Sequence, residues 1–411
     1  MKNQIAKRPP EREPDSHDTT TLSRRGFMWT GALAAAGAGA AGLFKPSTAG
    51  AAPGVERTSY GQGPFPVEGM ALYSSQGPHK PMKFQRRALG PKDVAIKLQY
   101  CGICHSDIHH GREHWRKETF PLVTGHELAG VVVAVGSSVS KFKVGSRVGV
   151  GCMVNSCRHC GPCEAGMEQY CENGSVLTYG SKDRDGSLTQ GGYSTFDVVD
   201  EDFVIAIPDA IDLAHAGPML CAGITVYSPF RRWSVGPGKK VGVVGLGGLG
   251  HMATKIAAAM GAQVTVLTTS RGKVDDARRF GAKTVIVNDQ GADLAKYRRS
   301  LDFILDTVPY QHDLERLIPL LKMDSTLCMV GVGKTTEPHQ IGPFSLLRDR
   351  TSFASSQIGG IRETQELVQF CELHGIRPEI TKVPMSRIDD AWTKVVDKAA
   401  RYRFVIDMTN A

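Results

Sequence analysis

Four closely spaced cysteines constrain this chain more than any other feature of its sequence. Cys157, Cys160, Cys163 and Cys171 follow the pattern Cys-x2-Cys-x2-Cys-x7-Cys. Four thiolates at such intervals can converge on one tetrahedral zinc ion and leave it no open position. Iron–sulfur clusters also use spaced cysteines and are the alternative. The spacing therefore predicts a closed zinc site whose task is to pin a loop.

A second metal site, with an open position, is indicated by Cys104 and His126, with Glu127 next to the histidine. Thiolate and imidazole with one free position suit catalytic zinc, whereas a closed set of four thiolate or imidazole ligands would be structural. Cys104 and His126 lie 22 positions apart, which is too far for a ribbon-type finger. The fold must therefore assemble this site, and spacing alone does not identify its third ligand.

A run of histidines near this second site has an ordinary explanation too. His105, His109, His110 and His114 lie in a polar stretch, where a solvated histidine is the usual outcome. Glu127 by itself is equally compatible with a surface carboxylate. It is the combination of residue types that indicates a metal site.

A glycine-rich loop lies between a buried-strand pattern at residues 240–244 and a small-residue helical pattern at 251–260. Gly-x-Gly-x-x-Gly in this context is typical of a dinucleotide site, because the glycines let the backbone approach a pyrophosphate. The helix N-terminus then favours the negative charge. The loop consists of Gly245, Leu246, Gly247, Gly248, Leu249 and Gly250.

Further strand patterns follow the glycine loop, with helical stretches between them. This alternation predicts a doubly wound α/β sheet of six strands. The additional strands are predicted near 263–268, 284–287, 302–305, 326–331 and 352–355.

The end of the second of these strands indicates which dinucleotide is bound. An NAD site places Asp or Glu there, about 20 residues after the first glycine, to bind the ribose hydroxyls. This chain has no acid at that point but hydroxyl groups and two cations, which suit the 2′-phosphate of NADP. A solvated loop would account for the lysine but not for the missing acid. The residues are Thr268, Thr269, Ser270, Arg271, Gly272 and Lys273.

The part of the chain before residue 222 is predicted to be rich in β-structure, with strands at 71–74, 94–100, 128–135 and 144–150. The last part has a helix-strand-helix-strand pattern that is too short for its own core, so we expect it to complete the first domain. The predicted divisions are a leader at 1–51, a linker at 52–65, a catalytic zinc-binding domain at 66–222, an NADP-binding domain at 223–357 and a return segment at 358–411.

The N-terminal segment resembles a twin-arginine export signal. Arg24 and Arg25 precede a weakly hydrophobic run of alanine and glycine at 29–44, and an Ala-x-Ala pattern ends at Ala51. Such signals carry proteins that are already folded, which predicts a periplasmic protein that meets the export machinery. The alternatives are a membrane anchor, a chance arginine pair, or a cytoplasmic enzyme that truly begins at Met70.

The net charge of the chain is +8, and the leader accounts for part of it. Residues 1–51 hold seven Lys/Arg and four acids, which leaves +5 over the remaining 360 residues. A positive charge spread this thinly suits small anionic molecules. The sequence lacks the basic stripe of a nucleic-acid-binding protein.

Residues 67–408 resemble the zinc-dependent medium-chain alcohol dehydrogenases, most closely the cinnamyl alcohol dehydrogenase-like branch, which reduces aldehydes with NADPH. The resemblance implies a β-rich GroES-like catalytic domain beside a Rossmann dinucleotide-binding domain. The motifs that carry it are residues 104–109, 125–127, the four-cysteine cluster, 190–193, 221–227 and the glycine loop.

The resemblance also implies a ligand set for the open metal site. Cys221 corresponds to its third ligand, and Glu127 to a carboxylate that can join the metal transiently. Asp107 is expected to orient His126. The implied complement is two zinc ions per subunit, one catalytic and one structural, in a homodimer or tetramer.

Proton transfer and cofactor binding are implied for further residues. Ser106 corresponds to the hydroxyl that passes on the alcohol proton, and His109 to a relay histidine. The implied activity is hydride transfer between NADP(H) and a small-molecule alcohol or aldehyde. The cofactor contacts implied by the resemblance are Ser106, Thr225, Gly245–Gly250, Thr268–Arg271, Lys273, Thr307 and Ile358.

Two features bear on how far the resemblance extends. Val176 stands where plant enzymes have a bulky aromatic, while Trp115 lies in the loop expected to line the pocket. We therefore expect a broad range of aldehydes rather than a preference for cinnamyl substrates. The alternative is a zinc-binding protein without turnover, used for binding or redox sensing. Loss of Ser106, His126 or a zinc ligand would indicate that alternative, and none is missing.

Overall fold

The computed structural model describes residues 60–288 and 293–410. The predicted export signal and most of the predicted linker lie outside these residues. Among the helices that are described, none combines the length and apolar character needed to cross a membrane.

The described residues form strands and helices in an alternating order after a β-rich first part. The strands are β1 Phe65–Ala71, β2 Lys80–Arg86, β3 Asp93–Gly102, β4 Leu128–Val135, β5 Arg147–Val150, β6 Met153–Asn155, β7 Val176–Leu177, β8 Phe196–Asp200, β9 Ile205–Ala206, β10 Lys240–Val244, β11 Gln263–Thr268, β12 Thr284–Val287, β13 Leu301–Asp306, β14 Leu321–Met329, β15 Ser352–Ser355, β16 Ile380–Pro384 and β17 Arg403–Asp407. The helices are α1 His105–Gly111, α2 Gly161–Glu164, α3 Leu213–Pro218, α4 Ile224–Arg232, α5 Gly248–Ala259, α6 Val274–Arg279, α7 Pro343–Leu347, α8 Ile361–Leu373 and α9 Ile388–Val396.

The first large sheet has the order β16-β17-β3-β4-β5-β9, and β8 also pairs with β3. Its pairs are antiparallel except for β16 with β17. The two C-terminal strands enter beside β3, where Ile406 is opposite Cys101. The C-terminal segment therefore contributes strands to the same sheet as the first part of the chain.

The second large sheet is parallel and has the order β12-β11-β10-β13-β14-β15. Numbered within the sheet, this order is 3-2-1-4-5-6, that of a doubly wound dinucleotide-binding fold. The predicted fold class is thus confirmed. Between β13 and β14, where every residue is described, the expected helix is absent and the chain forms a 3₁₀ turn, Ile318–Leu320. Pro319 lies in that turn, and proline cannot continue a regular helix interior.

Two strands of the first part differ from the sequence prediction. The strand predicted at 71–74 is β1, which ends at Ala71. It is recognisable by Phe65, Val67 and Ala71, which are buried at alternate positions of the strand. The strand predicted at 144–150 begins only at Arg147, because Gly145 has a φ of +89° in the preceding turn.

One apolar cluster continues from the first sheet into the second. It includes Ala129 and Ile205 of the first sheet together with Val241 and Val243 of the second. Between the sheets lies a buried π-helical turn, Met219–Gly223. Cys221 is therefore fixed at the junction of the two sheets.

Candidate active site

Cys104 lies between the end of β3 and the first residue of α1. Its backbone N–H donates a 2.9 Å hydrogen bond to Oδ2 of Asp107, the third residue of the helix. An acidic side chain at this position binds the free N–H before the first turn. The sequence Cys-His-Ser-Asp thus starts a helix and at the same time orients the cysteine.

His126 and Glu127 come directly before β4. Gly125 turns the chain into the strand with a φ of +102°, and its N–H donates to Oδ1 of Asp107 at 3.1 Å. The same carboxylate oxygen is 2.9 Å from Nδ1 of His126. The imidazole therefore presents Nε2 to Cys221, whose Sγ is 3.2 Å away.

The side chains of Cys104, His126, Glu127 and Cys221 meet in one buried place, with their ligand atoms within 4.8 Å of one another. The two sulfur atoms are 3.9 Å apart. Two thiolates on one tetrahedral zinc, each at about 2.3 Å, would be separated by about 3.8 Å. The donor set and its spacing therefore fit a zinc ion.

The two thiols differ strongly in acidity because they face each other. The hydrogen bond from Cys221 is the largest of the influences that hold the pKa of Cys104 well below its usual range. The same contact raises the pKa of Cys221 well above its usual range. The pair thus favours one thiolate, and a cation at this place would stabilise the second.

Glu127 is a fully buried carboxylate whose oxygens accept no hydrogen bond among the described residues. It forms an ion pair with Arg403, whose Nη2 is 3.2 Å from Oε1. Burial raises the pKa of Glu127 to about 7, although the Arg403 guanidinium opposes this rise. Glu127 therefore offers a carboxylate oxygen without a hydrogen-bond donor in the described part of the chain, beside the side chains of Cys104, His126 and Cys221.

The four-cysteine cluster forms a second donor group in which Cys157, Cys160, Cys163 and Cys171 are all buried. Their sulfur atoms lie within 4.8 Å of one another. This spacing suits a single ion better than an iron–sulfur cluster, whose thiolates bind separate iron atoms. With four thiolates there is no open position, so this site is structural.

Two of the four histidines near the open site are buried, contrary to the expectation of solvated side chains. Helix α1 turns His109 and His110 inward, where Nδ1 of His110 is 2.6 Å from Oε1 of Glu118. The His109 ring stacks on Trp115, with centroids 4.8 Å apart. Burial lowers the pKa of His109 to about 3, so the imidazole is neutral.

The residues predicted to move protons lie around this stack. The Ser106 hydroxyl is 3.6 Å from Sγ of Cys104, beside the metal ligands. Nδ1 of His109 is 3.0 Å from Nδ1 of His114, which is half-buried. Within the described residues no hydrogen bond joins Ser106 to His109, so a relay between them would need a bridging group.

The glycine loop follows β10 and leads into α5. Gly245 has a φ of +86°, and a Cβ at Gly250 would lie 2.1 Å from the Gly245 carbonyl oxygen. These two positions therefore require glycine. A Cβ at Gly247, in contrast, would meet nothing within 4 Å, so the backbone is open where α5 begins. Such an opening at a helix N-terminus fits the pyrophosphate of a dinucleotide.

The other predicted cofactor residues lie around the carboxyl ends of the strands. The Thr307 hydroxyl donates to the Val244 carbonyl at 2.7 Å, and the Ser270 N–H donates to the Thr268 hydroxyl at 3.2 Å. Nζ of Lys273 donates to the Leu246 carbonyl at 2.9 Å, across the glycine loop. Thr225 is buried in α4, Leu249 packs in α5, Thr269 and Arg271 are exposed, and Ile358 is half-buried after β15.

Arg403 belongs to this site and was missed by the sequence prediction. Its guanidinium lies 3.0 Å from the Cβ position of Gly248, next to the N-terminus of α5, and also contacts Glu127. Its Nε and Nη2 atoms form no hydrogen bond among the described residues. The sequence feature that could have indicated it is an arginine at the start of the otherwise largely apolar strand 403–407.

Two family models match the chain. The model described as the alcohol dehydrogenase GroES-like domain matches residues 90–209. The model described as zinc-binding dehydrogenase matches residues 248–372. The first range contains Cys104, His126 and the four-cysteine cluster, and the second begins at α5.

Named relatives and solved structures extend over both ranges. NADP-dependent alcohol dehydrogenase C 1 of Mycolicibacterium smegmatis is 49% identical over 342 residues, 83% of this chain and 97% of that protein. Aldehyde reductase YahK of Escherichia coli is 46% identical over 83% of this chain and 98% of that protein. A cinnamyl alcohol dehydrogenase of Sorghum bicolor superposes with a TM-score of 0.81 at 40% identity, covering 84% of this chain and 98% of that one. The corresponding enzyme of Helicobacter pylori, solved with NADP(H), gives 0.80 at 41% identity, covering 84% and 99%.

Proposed function

The chain belongs to the zinc-dependent medium-chain alcohol dehydrogenase family, and we propose that it works there as an aldehyde reductase of broad range. It is an NADP-dependent oxidoreductase that acts on alcohols and aldehydes. The observation that carries the proposal is the position of the Arg403 side chain, which is 3.2 Å from Glu127 at the metal site and 3.0 Å from where a Cβ would lie at Gly248 of the glycine loop. The metal-binding residues and the glycine loop, which we call the two half-sites, therefore adjoin.

Each half-site would hold one reactant. Cys104, His126 and Cys221 would bind zinc, with Glu127 as the spare donor, and the glycine loop with Arg403 would hold NADPH. When bound, zinc supplies a Lewis acid for the substrate oxygen, and NADPH supplies the hydride. Asp107 fixes the orientation of His126, so that only Nε2 faces the metal position.

Ser106 is the residue that we assign to the proton. Its hydroxyl lies 3.6 Å from Sγ of Cys104, so it can donate to a substrate oxygen that gains negative charge. A hydroxyl suits this place because a carboxylate there would compete as a metal ligand. The neutral His109 is buried and contacts the half-buried His114, through which a proton could reach solvent if a bridging group joins Ser106 to His109.

The proposed breadth of substrates rests on Val176 and Trp115. Val176 is a buried residue in β7, smaller than the aromatic residue that the resemblance places at this position. The Trp115 indole N–H donates to the Gly333 carbonyl at 2.8 Å, which fixes the aromatic ring beside His109. We therefore expect both aliphatic and aromatic aldehydes to be accepted.

An assay of NADPH oxidation against a panel of aldehydes tests the proposal. Turnover should be lost after chelation, return with added zinc, and be strongly reduced in Ser106→Ala. The same panel run with alcohols and NADP⁺ compares the two directions. If the protein binds zinc and NADPH but turns over no aldehyde, the alternative of a binding protein replaces the enzyme.

For oligomeric state we propose a homodimer formed through the open edge of β15. This strand pairs with β14 on one side only, within the described residues. Near it in sequence, Phe344 is 83% exposed, Leu347 69% and Phe353 36%. Light scattering of the wild type and of Phe344→Ser with Leu347→Ser tests this proposal, because the double variant should be monomeric.

For location we propose export by the twin-arginine pathway, supported by the Arg24-Arg25 motif and the Ala-x-Ala pattern that ends at Ala51. A start at Met70 would remove most of β1, including Phe65 and Val67, which are buried. N-terminal sequencing of the mature protein from periplasmic and cytoplasmic fractions tests this. A periplasmic product that starts at Ala52 is expected, and a cytoplasmic product with the Arg24-Arg25 segment intact would contradict export.

A further inference from the structure

The metal lobe, defined as residues 157–171, binds the segment that links β15 to α8. We call residues 356–361 the crossing segment. The Gln357 N–H donates to the Tyr170 hydroxyl oxygen at 3.1 Å, and the Ile361 N–H donates to Oε2 of Glu168 at 3.0 Å. Both acceptors lie between the third and fourth cysteines. The lobe thus binds the crossing segment near both of its ends.

Two further contacts make this interface tight. Nη2 of Arg362 donates to the Ala165 carbonyl at 3.1 Å. A Cβ at Gly360 would lie 1.9 Å from the Gly166 carbonyl oxygen and 2.7 Å from Oε2 of Glu168. The backbones of lobe and segment therefore touch, and a shift of the lobe must move the segment.

Ile358, between the two anchored N–H groups, has an unusual backbone conformation. Its φ is +36°, a left-handed value that a β-branched residue rarely adopts. Such a conformation persists only where its surroundings determine it. Here the hydrogen bonds of Gln357 and Ile361 to the lobe supply that constraint, one residue before Ile358 and three residues after it.

The crossing segment lies at the cofactor side of the parallel sheet. It begins directly after the carboxyl end of β15, and the Ser356 N–H donates to the Met329 carbonyl at the end of β14 at 3.3 Å. Ligands of doubly wound sheets bind outside the carboxyl ends of the strands. Ile358, a predicted cofactor contact, is therefore placed where a bound dinucleotide would run.

We infer that the metal lobe sets the affinity for NADPH, with Glu168 and Tyr170 as positioning residues that hold Ile358 in its left-handed conformation. This inference rests on the proposed function, because it takes NADPH as the ligand of the parallel sheet. The four-cysteine site then has a task beyond stability. It keeps the lobe rigid enough to fix a backbone segment of the cofactor site.

The test compares variants of the two acceptors with matched controls. Tyr170→Phe removes the hydroxyl that accepts from Gln357, and Glu168→Ala removes the carboxylate that accepts from Ile361. Glu168→Gln keeps an oxygen that can accept, so it should restore part of the affinity. Glu164→Ala, an exposed acid of the same lobe, and Tyr73→Phe, an exposed tyrosine, are the controls.

The dissociation constant of NADPH is measured by its fluorescence, together with zinc content and the thermal midpoint of each holoprotein. Loss of one hydrogen bond that holds the segment should raise the dissociation constant by about 10-fold. Glu168→Ala should weaken binding more than Glu168→Gln, with two zinc ions retained and kcat at saturating NADPH little changed. The controls should bind as the wild type does.

Each outcome decides the inference. If Tyr170→Phe and Glu168→Ala bind NADPH as tightly as the controls, with or without a lower thermal midpoint, the lobe is only structural and the inference is wrong. If Glu168→Ala does not fold, Tyr170→Phe alone decides. Failure of the wild type to bind NADPH would instead contradict the proposed function, so the two failures are distinguishable.

Discussion

The Tyr193 hydroxyl donates a 3.1 Å hydrogen bond to Oδ2 of Asp107, the carboxylate that orients His126. The direction of this bond is fixed by Trp392, whose indole N–H donates to the Tyr193 oxygen at 3.2 Å. An indole N–H can only donate, so the proton of Tyr193 must point to Asp107. Trp392 of helix α9 is thus connected to His126 through Tyr193 and Asp107.

Tyr193→Phe is expected to weaken the catalytic zinc site. Asp107 is fully buried and would lose one of the donors that fix it, so His126 would be less firmly oriented. Loss of such an outer partner typically lowers metal affinity by about 10- to 100-fold. Release of zinc to a chromogenic chelator measures the effect, and release from the four-cysteine site, which the substitution does not touch, is the internal reference. Equal release from wild type and variant would contradict the role of Tyr193.

Ser106→Ala is expected to lower kcat without loss of zinc. The hydroxyl is the only part removed, and its distance of 3.6 Å from Cys104 places it beside the metal position without making it one of the four clustered ligands. General acid–base catalysis of this kind contributes about 10²- to 10⁴-fold to the rate. Single-turnover kinetics with NADPH measure the loss, and zinc content confirms an intact site. A rate within twofold of wild type would mean that another group supplies the proton.

The sequence predicts those parts of the site that are encoded by local spacing. The four cysteines lie within fifteen residues and the glycine loop within six, so their chemistry follows from the order of residues. The contacts of Arg403 with Glu127 and of Trp392 with Tyr193 join residues about 200 to 280 positions apart. They depend on the register of β17 against β3 and on the packing of α9, which no local pattern specifies. The resemblance supplied Cys221 but not these partners.

The buried histidines show the same limit in another way. A polar run such as residues 105–114 suggests exposure, and the helical period that turns His109 and His110 inward extends over only seven residues, His105–Gly111. Trp115 and Glu118, which cover them, come from the following loop. Burial of polar side chains is favourable only with such partners, and these are assigned by the fold.

Arg403→Lys is expected to weaken NADPH binding and to lower stability together. Lysine keeps the charge but not the planar fork, so it cannot contact Glu127, the Ile103 carbonyl and the α5 terminus at once. Loss of one charge-assisted hydrogen bond from Arg403 to NADPH would cost about 1.5–3 kcal/mol. The KM for NADPH would then rise by about 10- to 100-fold. Steady-state kinetics at saturating aldehyde and urea unfolding measure the two effects. An unchanged KM would place the cofactor away from Arg403.

The last prediction concerns pH and His251, a fully buried histidine of α5. Its Nε2 accepts a hydrogen bond from the Glu379 N–H at 3.1 Å, and its Nδ1 is 3.1 Å from the Gly247 carbonyl. An N–H donor requires a lone pair on Nε2, so the imidazole is neutral with its proton on Nδ1. Burial lowers the pKa of His251 to about 3.

Because this pKa is lower in the folded protein than in the unfolded chain, His251 stabilises the fold above pH of about 6.5 and loses that contribution as the pH falls toward about 3. In that window, protonation of His251 should lower the free energy of unfolding by at most ~1.4 kcal/mol per pH unit. His251→Gln cannot be protonated there, so its free energy of unfolding should fall less steeply with decreasing pH. Glutamine can still accept from Glu379, so the variant should fold. Urea unfolding of both proteins between pH 7 and 4.5 gives the difference, which also cancels the common effect of zinc release. If the two curves remain parallel over this range, protonation of His251 does not contribute to the loss of stability in acid, and the prediction is wrong.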